Sequence, residues 1–393
     1  MKNEIFDQRG LSFLSLSHAL NDVNQGAIPA LLPFLVTQQH LSYVAASGIV
    51  LSATVISSIL QPLLGYYSDR RPMPWLMVTG MLLSCTGIAL SGIAASYWLT
   101  ITCVLLCGAG VAAFHPEAFR FANYLSRKRP ATGMSIFALG GNIGFALGPL
   151  MMTTVVMAFG LKGTLLMFLP TSLMALLLYI ETPRMQSFRP PDLPKNEQAA
   201  ENKPDWSAFI RLTIVIVIRA SFYYGLVTFI PLYLINVRQT SITYANSALT
   251  VISLAGAIGA LVGGQLADRF GQKRVMILAI IMITPLLLGF LNTNGIIPLF
   301  FLALIGMAMV TSFTAAIVIA QNYAPSNIGV ASGIVTGSAI GLGGMTTPLF
   351  GKAADVYGVT TAFYIIVLLP LIAAAIALRL PVPPKQSGRS ETA

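Results

Sequence analysis

The sequence predicts an all-α integral membrane protein with twelve transmembrane helices arranged as two six-helix pseudo-repeats. Composition gives the first indication. Hydrophobic residues make up 55% of the 393-residue chain and charged residues only 9%, whereas an ordinary soluble domain has about 25% charged residues. The second indication is length, because the chain divides into apolar stretches of roughly 20 residues, which an α-helix needs to cross a bilayer.

The apolar stretches place twelve spans along the chain. They lie at about 11–36, 43–67, 75–95, 98–126, 131–158, 162–181, 206–236, 244–267, 274–292, 295–323, 328–356 and 360–380. Between the sixth and seventh spans, the polar segment 182–205 contains five prolines, which indicates a linker or hinge. We therefore expect a first bundle over 1–181, a cytoplasmic linker over 182–205, and a second bundle over 206–393 with a short cytoplasmic tail.

The basic residues predict the orientation in the membrane. If both termini are cytoplasmic, all but five of the 23 lysines and arginines fall on the cytoplasmic side, as the positive-inside rule requires. The net charge of +10 is then a consequence of topology, and nucleic-acid binding is not expected. We expect a multi-pass protein of a bacterial cytoplasmic (inner) membrane, with the lipid bilayer as its environment.

An internal repeat supports the two-bundle plan. Two loops share the pattern Gly-x-x-x-Asp-Arg, and identical residues recur at a fixed offset, which is the signature of duplication. The pairs separated by 199 residues are Gly26 and Gly225, Gly65 and Gly264, Asp69 and Asp268, Arg70 and Arg269, Asn123 and Asn322, Tyr124 and Tyr323, and Pro149 and Pro348. Six helices per copy give a parallel repeat, for which a substrate site is expected near the bilayer midplane between the halves.

The first span carries a polar stripe. His18, Asn21, Asp22 and Gln25 follow each other at i, i+3, i+4 and i+7, which is one face of an α-helix. Asp22 lies roughly 16 Å from the helix start at 1.5 Å per residue, close to mid-bilayer. The stripe should face the bundle interior. Hydrogen bonds between helices explain the amides as well as a functional role does, but they explain the aspartate less well.

Ionisable residues also interrupt the fourth and seventh spans. His115, Glu117 and Arg120 surround Pro116 in the fourth, and Arg219 lies near the middle of the seventh. Charged groups at this depth are costly and by default indicate a functional site. For Arg219, two interpretations remain open: a buried ion pair with an aspartate or glutamate of the first half, or binding of an anionic substrate, for which a guanidinium is well suited.

The fifth span contains a glycine run. Gly140, Gly144 and Gly148 stand at i, i+4 and i+8, followed by Pro149. Such a run forms a groove that lets another helix approach closely. Sliding contacts during transport and tight static packing explain it equally well.

Taken together, the duplicated plan and the Gly-x-x-x-Asp-Arg loops resemble the major facilitator superfamily over essentially the whole chain, and the glycine run resembles the fifth-helix signature of its proton-coupled antiporters. A narrower resemblance is to the fosmidomycin-resistance transporters. It is carried by the segments 17–22 (Ser-His-Ala-Leu-Asn-Asp), 114–118 (Phe-His-Pro-Glu-Ala) and 140–144 (Gly-Gly-Asn-x-Gly). The first loop departs from the superfamily pattern at 71–74, where Arg-Pro-Met-Pro replaces the usual glycine and basic residues.

The resemblance implies proton-driven export, by alternating access, of a small drug or metabolite, with the anionic phosphonate fosmidomycin as the eponymous substrate. The resemblance also implies gating roles for residues of the two Gly-x-x-x-Asp-Arg loops. The likeness of the fifth span to the antiporter signature implies a gating role for the glycine run as well. The gating set is Gly65, Asp69, Arg70, Gly264, Asp268, Arg269, Gly140, Gly144, Gly148 and Pro149. We expect neither catalysis nor a metal or other cofactor, because the proton gradient serves as the energy source. The expected partners are protons and a small-molecule substrate. A monomer suffices, since one chain contains both halves.

Burial and a nearby arginine change the proton affinity of a carboxyl group in opposite directions, so a buried carboxylate near an arginine can serve as a proton carrier. We expect Glu117 as the main carrier, Asp22 as the second choice, and His115 as a further titrating group. The residues expected to bind substrate are Arg120, Arg219, His18, Asn21, Asn142, Phe114 and Tyr223.

Three alternatives remain open. A proton-linked importer of a sugar or organic anion would use the same residues, and a lipid or glycolipid exporter would need a large amphipathic cavity. An intramembrane metalloenzyme could be built from His18, Asp22, His115 and Glu117, but the sequence has no His-Glu-x-x-His or similar ligand spacing. The three cysteines, Cys85, Cys103 and Cys107, likewise lack partners at metal-ligand spacing.

Overall fold

The computed structural model describes residues 7–70, 73–126, 130–188, 204–324, 331 and 334–382. A few helical side chains, among them those of Asp69, Arg70 and Asp268, also lie outside the described part. Within these limits the chain is almost entirely helical and contains no strand, which confirms the predicted all-α class.

The helices of the first half are α1 Gln8–Gln39, α2 Tyr43–Arg70, α3 Trp75–Ser91, α4 Tyr97–Ser126, α5 Pro130–Phe159 and α6 Phe168–Gln186. A 3₁₀ segment, Gly160–Met167, joins α5 to α6. The described helices of the second half are α7 Trp206–Asn236, α8 Ile242–Phe270, α9 Gln272–Asn292, α10 Ile297–Tyr323, α11 Ala339–Gly344, α12 Thr347–Tyr357 and α13 Val359–Leu378.

Membrane-crossing length and apolar character agree with the predicted spans. Among the described residues, eight helical stretches are long and apolar enough to cross a bilayer, and one of these, Ile136–Gln186, contains both α5 and α6. The helix α3 is apolar but shorter. With α1, which carries the polar stripe, and the broken eleventh span, the twelve predicted crossings are accounted for.

The eleventh span differs from the prediction of one continuous helix over 328–356. A π-helical segment, Ile334–Ser338, precedes the short α11, and a turn then separates α11 from α12. Glycines in α11 weaken the helix, and Pro348 at the start of α12 has no backbone N–H to continue the preceding one. The break is therefore a local consequence of sequence.

The two halves begin in the same way. Asp7 caps α1 by accepting a hydrogen bond from the Gly10 N–H, and Asp205 caps α7 by accepting one from Ala208. The backbone N–H of each aspartate donates to the end of the fourth helix of its own half, Asp7 to Leu125 O at 2.9 Å and Asp205 to Tyr323 O at 2.8 Å. Both pairs of equivalent residues are 198 residues apart, which supports the duplicated plan.

Arg184 belongs to α6 rather than to the linker predicted to begin at 182. Its guanidinium contacts Asp7 Oδ1 and Glu181 Oε1, each at 2.7 Å, and Arg9 contacts the other Glu181 oxygen at 2.7 Å. Both carboxylates are buried, so these ion pairs fix the start of α1 to the end of α6. Of the predicted linker, residues 189–203 lie outside the described residues.

The halves meet along two pairs of helices. Asn246 of α8 donates to Ala30 O at 3.0 Å and to Thr153 Oγ1 of α5 at 2.8 Å. Asp355 of α12 accepts from the first two backbone N–H groups of α2, at 2.7 and 3.0 Å. A cavity also lies between the halves, lined by residues of both.

Candidate functional site

The fifth-span glycines bring α5 into backbone contact with α1. A Cβ atom at Gly144 would lie 2.0 Å from Ala19 O, and one at Gly140 would lie 2.2 Å from Ser15 O. The predicted groove is therefore present, and its partner is α1 of the same half. This contact supports the packing interpretation, while a gating role for these glycines stays a prediction.

Part of the polar stripe on α1 holds helices together. Asn21 Oδ1 accepts a hydrogen bond from Ser84 Oγ of α3 at 3.0 Å. Asn24 donates to the same hydroxyl at 3.1 Å and to Thr171 Oγ1 of α6 at 3.3 Å. Asn21 is fully buried, so its contacts are those of interhelical packing rather than of an open binding site.

The ionisable part of the stripe meets α4. Nε2 of His18 lies 3.2 Å from Nε2 of His115 and 3.2 Å from Oδ2 of Asp22. The second oxygen of this carboxylate, Oδ1, lies 3.5 Å from Nε2 of His115. We call these three residues the His–Asp–His cluster. It lies about midway along α1, where the sequence placed Asp22.

Backbone carbonyls fix the proton positions on the two rings. Nδ1 of His18 lies 2.9 Å from Phe137 O, and Nδ1 of His115 lies 2.8 Å from Val111 O. A carbonyl oxygen only accepts hydrogen bonds, so each Nδ1 carries a proton and, in a neutral ring, each Nε2 presents a lone pair. Two lone pairs and a carboxylate then lie together with no hydrogen between them, so a proton or another cation held there would relieve their repulsion.

Gly141 of α5 makes room for the cluster. A Cβ atom there would lie 2.4 Å from Cε1 and 2.5 Å from Nε2 of His18, and 3.0 Å from Asp22 Oδ2. On the neighbouring turn, the Phe137 ring stacks on the His18 ring with centroids 4.1 Å apart. The α5 helix therefore positions the His18 imidazole in three ways: the Phe137 ring stacks on it, the Phe137 carbonyl accepts its hydrogen bond, and Gly141 leaves room for it.

The cluster also has the composition of a metal site. Among the described residues, it is the one group of three His, Cys, Asp or Glu whose potential ligand atoms all lie within 4.8 Å of one another. The sequence analysis named these three residues, together with Glu117, only in the metalloenzyme alternative, because His18 and His115 are 97 residues apart and no linear spacing signals a ligand set. Glu117, the fourth residue of the metalloenzyme alternative, is not part of the group.

Glu117 is buried beside Arg120, as expected for the predicted proton carrier, and its role stays a prediction. Glu117 Oε1 lies 3.2 Å from Arg120 Nη1 and accepts a hydrogen bond from Met73 N at 2.8 Å. Arg120 also donates to the backbone oxygen and the hydroxyl of Ser68. The pair thus connects α4 to the end of α2 and to the loop that follows.

Arg219, in the middle of α7, has no carboxylate partner among the described residues. Its guanidinium donates to Met309 O, at 2.8 Å from Nη2 and 3.2 Å from Nε, and Nε also lies 3.3 Å from Ser312 Oγ. The Phe313 ring lies 4.5 Å from Cζ, a cation–π contact. No carboxylate lies within 4.0 Å of Arg219 in the described part of the chain, so the ion pair with Asp22 or Glu117 is absent there.

A cavity lies between the halves, one helical turn from Arg219. It has a free volume of about 30 Å³ and is lined by residues of α1, α2, α5, α7 and α8. Tyr223 and Tyr224 form its wall on α7, opposite Gln25 of α1 and Phe145 of α5. The expected position between the two halves is therefore occupied by a cavity, and of the predicted substrate residues Tyr223 lines it.

The remaining predicted residues are placed as follows. Phe114 is fully buried in the apolar core of the first half and does not line the cavity, while Asn142 is half-buried on α5. In the predicted gating loops, the side chains of Asp69, Arg70 and Asp268 lie outside the described residues. Gly65, Gly264, Arg269 and Pro149 lie on helices, and their gating roles stay predictions.

Comparison with known proteins assigns the family. The family model of the Major Facilitator Superfamily matches residues 14–348 and 239–393 of this chain. The chain is 30% identical over 379 residues to the fosmidomycin resistance protein of Escherichia coli (strain K12), covering 92% of this chain and 90% of that protein. This chain belongs to the Major Facilitator Superfamily.

Within this superfamily, the chain is also 32% identical over 370 residues to the uncharacterized MFS-type transporter YfnC of Bacillus subtilis (strain 168), with 92% of this chain and 90% of that protein covered. The fold is shared with solved superfamily structures. These include a bacterial homolog of the human lysosomal transporter Spinster, with a TM-score of 0.78, 16% identity and coverage of 94% and 96%. A D-xylose–proton symporter superposes with a TM-score of 0.74, 14% identity and coverage of 95% and 98%. The protein is therefore a membrane transporter of a small molecule and not an enzyme.

Proposed function

We propose that this transporter exports a small anionic compound in exchange for protons, by alternating access of its two halves. The environment of Arg219 carries the proposal. An ionised group at this depth is costly unless it is paired, and within the described residues the guanidinium has neutral partners only. Nη1 makes no hydrogen bond there, although an arginine offers five N–H donors. An anionic substrate would supply the missing charge.

The compound we propose combines an anionic group with a small body, and the neighbouring cavity, with a free volume of about 30 Å³, would have to widen as the halves move to admit it. The lining of the cavity is mostly apolar and includes Tyr223 and Tyr224. The Escherichia coli relative is named for fosmidomycin resistance, and fosmidomycin is a phosphonate, which a guanidinium can bind through two hydrogen bonds. Fosmidomycin is therefore the first compound to test.

We place the coupling proton at the His–Asp–His cluster rather than at Glu117. Three acceptors lie together there, and a proton would relieve their repulsion, whereas Glu117 is engaged by Arg120 and by a backbone N–H. The cluster lies on α1 and α4 of one half, so the other half is free to carry the substrate cation. In this arrangement Asp22 is the proton carrier, and His18 and His115 share the proton with it.

The direction of transport and the membrane are part of the proposal. A resistance phenotype suggests export, but the shared fold includes a symporter, so the fold does not decide the direction. We infer that the chain acts as a monomer in a bacterial inner membrane, with both termini in the cytoplasm, because this orientation puts most basic residues inside.

Uptake of fosmidomycin into inverted membrane vesicles, with and without an acidic interior, tests the proposal. Arg219→Gln should reduce uptake roughly 10- to 150-fold, because hydrogen bonds to a charged group contribute about 1.5–3 kcal/mol and 1.4 kcal/mol is a tenfold change. Arg219→Lys keeps the charge and should retain part of the activity. Arg211→Gln is a matched control, since Arg211 is an exposed residue of the same helix.

Each outcome has a distinct meaning. Uptake by Arg219→Gln at the wild-type rate would refute the role of the guanidinium. Uptake that ignores the pH gradient would refute proton exchange. If the wild type moves no fosmidomycin but moves another anionic compound in a gradient-dependent way, the substrate is wrong and the mechanism stands.

A further inference from the structure

We propose that the His–Asp–His cluster is a binding site for one divalent transition-metal ion, with Zn²⁺ as the best physiological match. The cluster offers two imidazole nitrogens and one carboxylate, a ligand set that Zn²⁺ binds readily. Only the final step, inhibition of transport by the metal, depends on the proposed function. Metal binding itself depends on the geometry alone.

The distances between ligand atoms match those around a bound zinc. With metal–ligand distances of 2.0–2.1 Å, two ligands of a tetrahedral site lie about 3.4 Å apart. In the cluster the two Nε2 atoms lie 3.2 Å apart. The nitrogen-to-oxygen distances are 3.2 Å for His18 and 3.5 Å for His115. An ion could therefore bind with small shifts of the side chains.

The surroundings of the two histidines are those of metal ligands. A metal-binding histidine usually donates its other N–H to a carbonyl or a carboxylate, which orients the free nitrogen. Both rings do so here, toward Phe137 O and Val111 O. In the neutral rings both Nε2 atoms are thereby left unprotonated, 3.2 Å apart.

The ligand chemistry also selects the metal class. Mg²⁺ and Ca²⁺ require oxygen ligands, and Cu⁺ prefers thiolates and thioethers, so two imidazoles and one carboxylate favour a divalent transition metal such as Zn²⁺, Fe²⁺, Co²⁺, Ni²⁺ or Cu²⁺. Three protein ligands leave a fourth position for water or another small ligand. The side chain of His115 is 13% exposed, which gives a route of access that a fully enclosed site would lack.

A metal at this site would use the same lone pairs as the coupling proton. Zn²⁺ and the proton would then exclude each other, and a transporter with bound Zn²⁺ would keep its substrate site but lose its exchange ion. We therefore expect Zn²⁺ to inhibit gradient-driven transport and to leave substrate binding intact.

Cobalt binding to the purified, full-length transporter in detergent tests the site directly, because Co²⁺ bound by nitrogen and oxygen ligands absorbs visible light. The chain has three histidines, so His40→Ala is a matched control: His40 is exposed at the end of α1. The protein should carry a purification tag without histidine. We expect one equivalent of Co²⁺ to bind, and Zn²⁺ to displace it.

The variants His18→Ala, His115→Ala and Asp22→Ala should weaken binding about 100-fold or more, since loss of an outer-shell partner alone costs 10- to 100-fold. His40→Ala should bind as the wild type does. Equal binding by all variants, or no binding by the wild type, would overturn the proposal. Where an alanine variant unfolds, His115→Gln and Asp22→Asn, checked by thermal unfolding, replace it.

Transport assays separate this inference from the proposed function. If Co²⁺ and Zn²⁺ bind to the cluster and Zn²⁺ inhibits gradient-driven uptake, both are supported. If the metals bind as described and transport is unaffected by saturating Zn²⁺, the metal site stands and the cluster is not the site of proton coupling.

Discussion

Replacement of Gly141 by alanine should disrupt the His–Asp–His cluster although none of its three residues is replaced. The new Cβ atom would lie 2.4 Å from Cε1 and 2.5 Å from Nε2 of His18, whereas non-bonded carbons pack at about 3.5–4.0 Å. The ring must therefore move by about 1 Å. A movement of about 1 Å is enough to break a hydrogen bond, because donor and acceptor atoms that lie about 2.9 Å apart when bonded are no longer bonded beyond about 3.5 Å.

The cost follows from two effects. Overpacking in a tight interior costs about 1–3 kcal/mol, and loss of the 2.9 Å contact between His18 and Phe137 O leaves a buried donor unsatisfied, at about 1–3 kcal/mol. Gly141→Ala should therefore lower the free energy of unfolding by about 2–6 kcal/mol. A metal site tolerates displacements of only about 0.2 Å in a ligand distance, so Co²⁺ affinity should fall on the order of 100-fold.

Denaturant unfolding in detergent micelles and Co²⁺ titration measure the two effects. Gly337→Ala is the control, because among the described residues a Cβ atom there would meet only Pro62, at an ordinary 3.4 Å. If Gly141→Ala binds Co²⁺ as tightly as wild type and unfolds at the same denaturant concentration, the packing of α5 on His18 is not what positions the ring, and the reasoning fails.

Other substitutions test the remaining assignments. Asp22→Asn should abolish gradient-driven accumulation of substrate but retain counterflow between equal pH values, whereas Glu117→Gln should retain both; the reverse result would return the proton to Glu117. Arg184→Ala should lower the free energy of unfolding by about 1–3 kcal/mol, because two buried carboxylates lose an ion-pair partner and because the Arg184 side chain is itself partly exposed. As a control, replacement of the exposed Arg379 by alanine should change the unfolding midpoint little. Asp355→Ala removes the carboxylate that accepts hydrogen bonds from the first two backbone N–H groups of α2. It should weaken the contact between the halves by about 1 kcal/mol. Faster crosslinking or labelling of cysteines introduced near the start of α2 would measure this effect.

Much of the fold was predictable because bilayer thickness sets a length and hydrocarbon excludes charge. These two constraints act on each helix separately, so apolar runs located the spans and an offset of 199 residues revealed the repeat. Local chemistry also mattered where the prediction was wrong. The eleventh span is broken at a glycine-rich stretch followed by proline, and α6 continues past 182 because Arg184 is held by Asp7 and Glu181.

The candidate site was only partly predictable. The sequence identified Asp22, His18, His115 and Arg219 as unusual, because polar groups in an apolar helix are visible without a structure. It did not reveal which of them meet. The preference for Glu117 rested on Arg120 at i+3 and on His115 nearby. Arg120 does contact Glu117 at 3.2 Å, and the sequence did not show that Arg120 also contacts Ser68 at the end of α2.

The sequence by itself determined that this chain is a duplicated twelve-helix membrane protein with ionisable groups at mid-depth. The tertiary structure decided their partners: two histidines 97 residues apart share one carboxylate, and Arg219 has neutral partners in the part of the chain described. The physical reason is that the periodicity of a helix specifies which face a residue occupies, whereas the contact between two faces depends on how α1, α4 and α5 pack. A glycine such as Gly141 sets that packing through the side chain that it lacks.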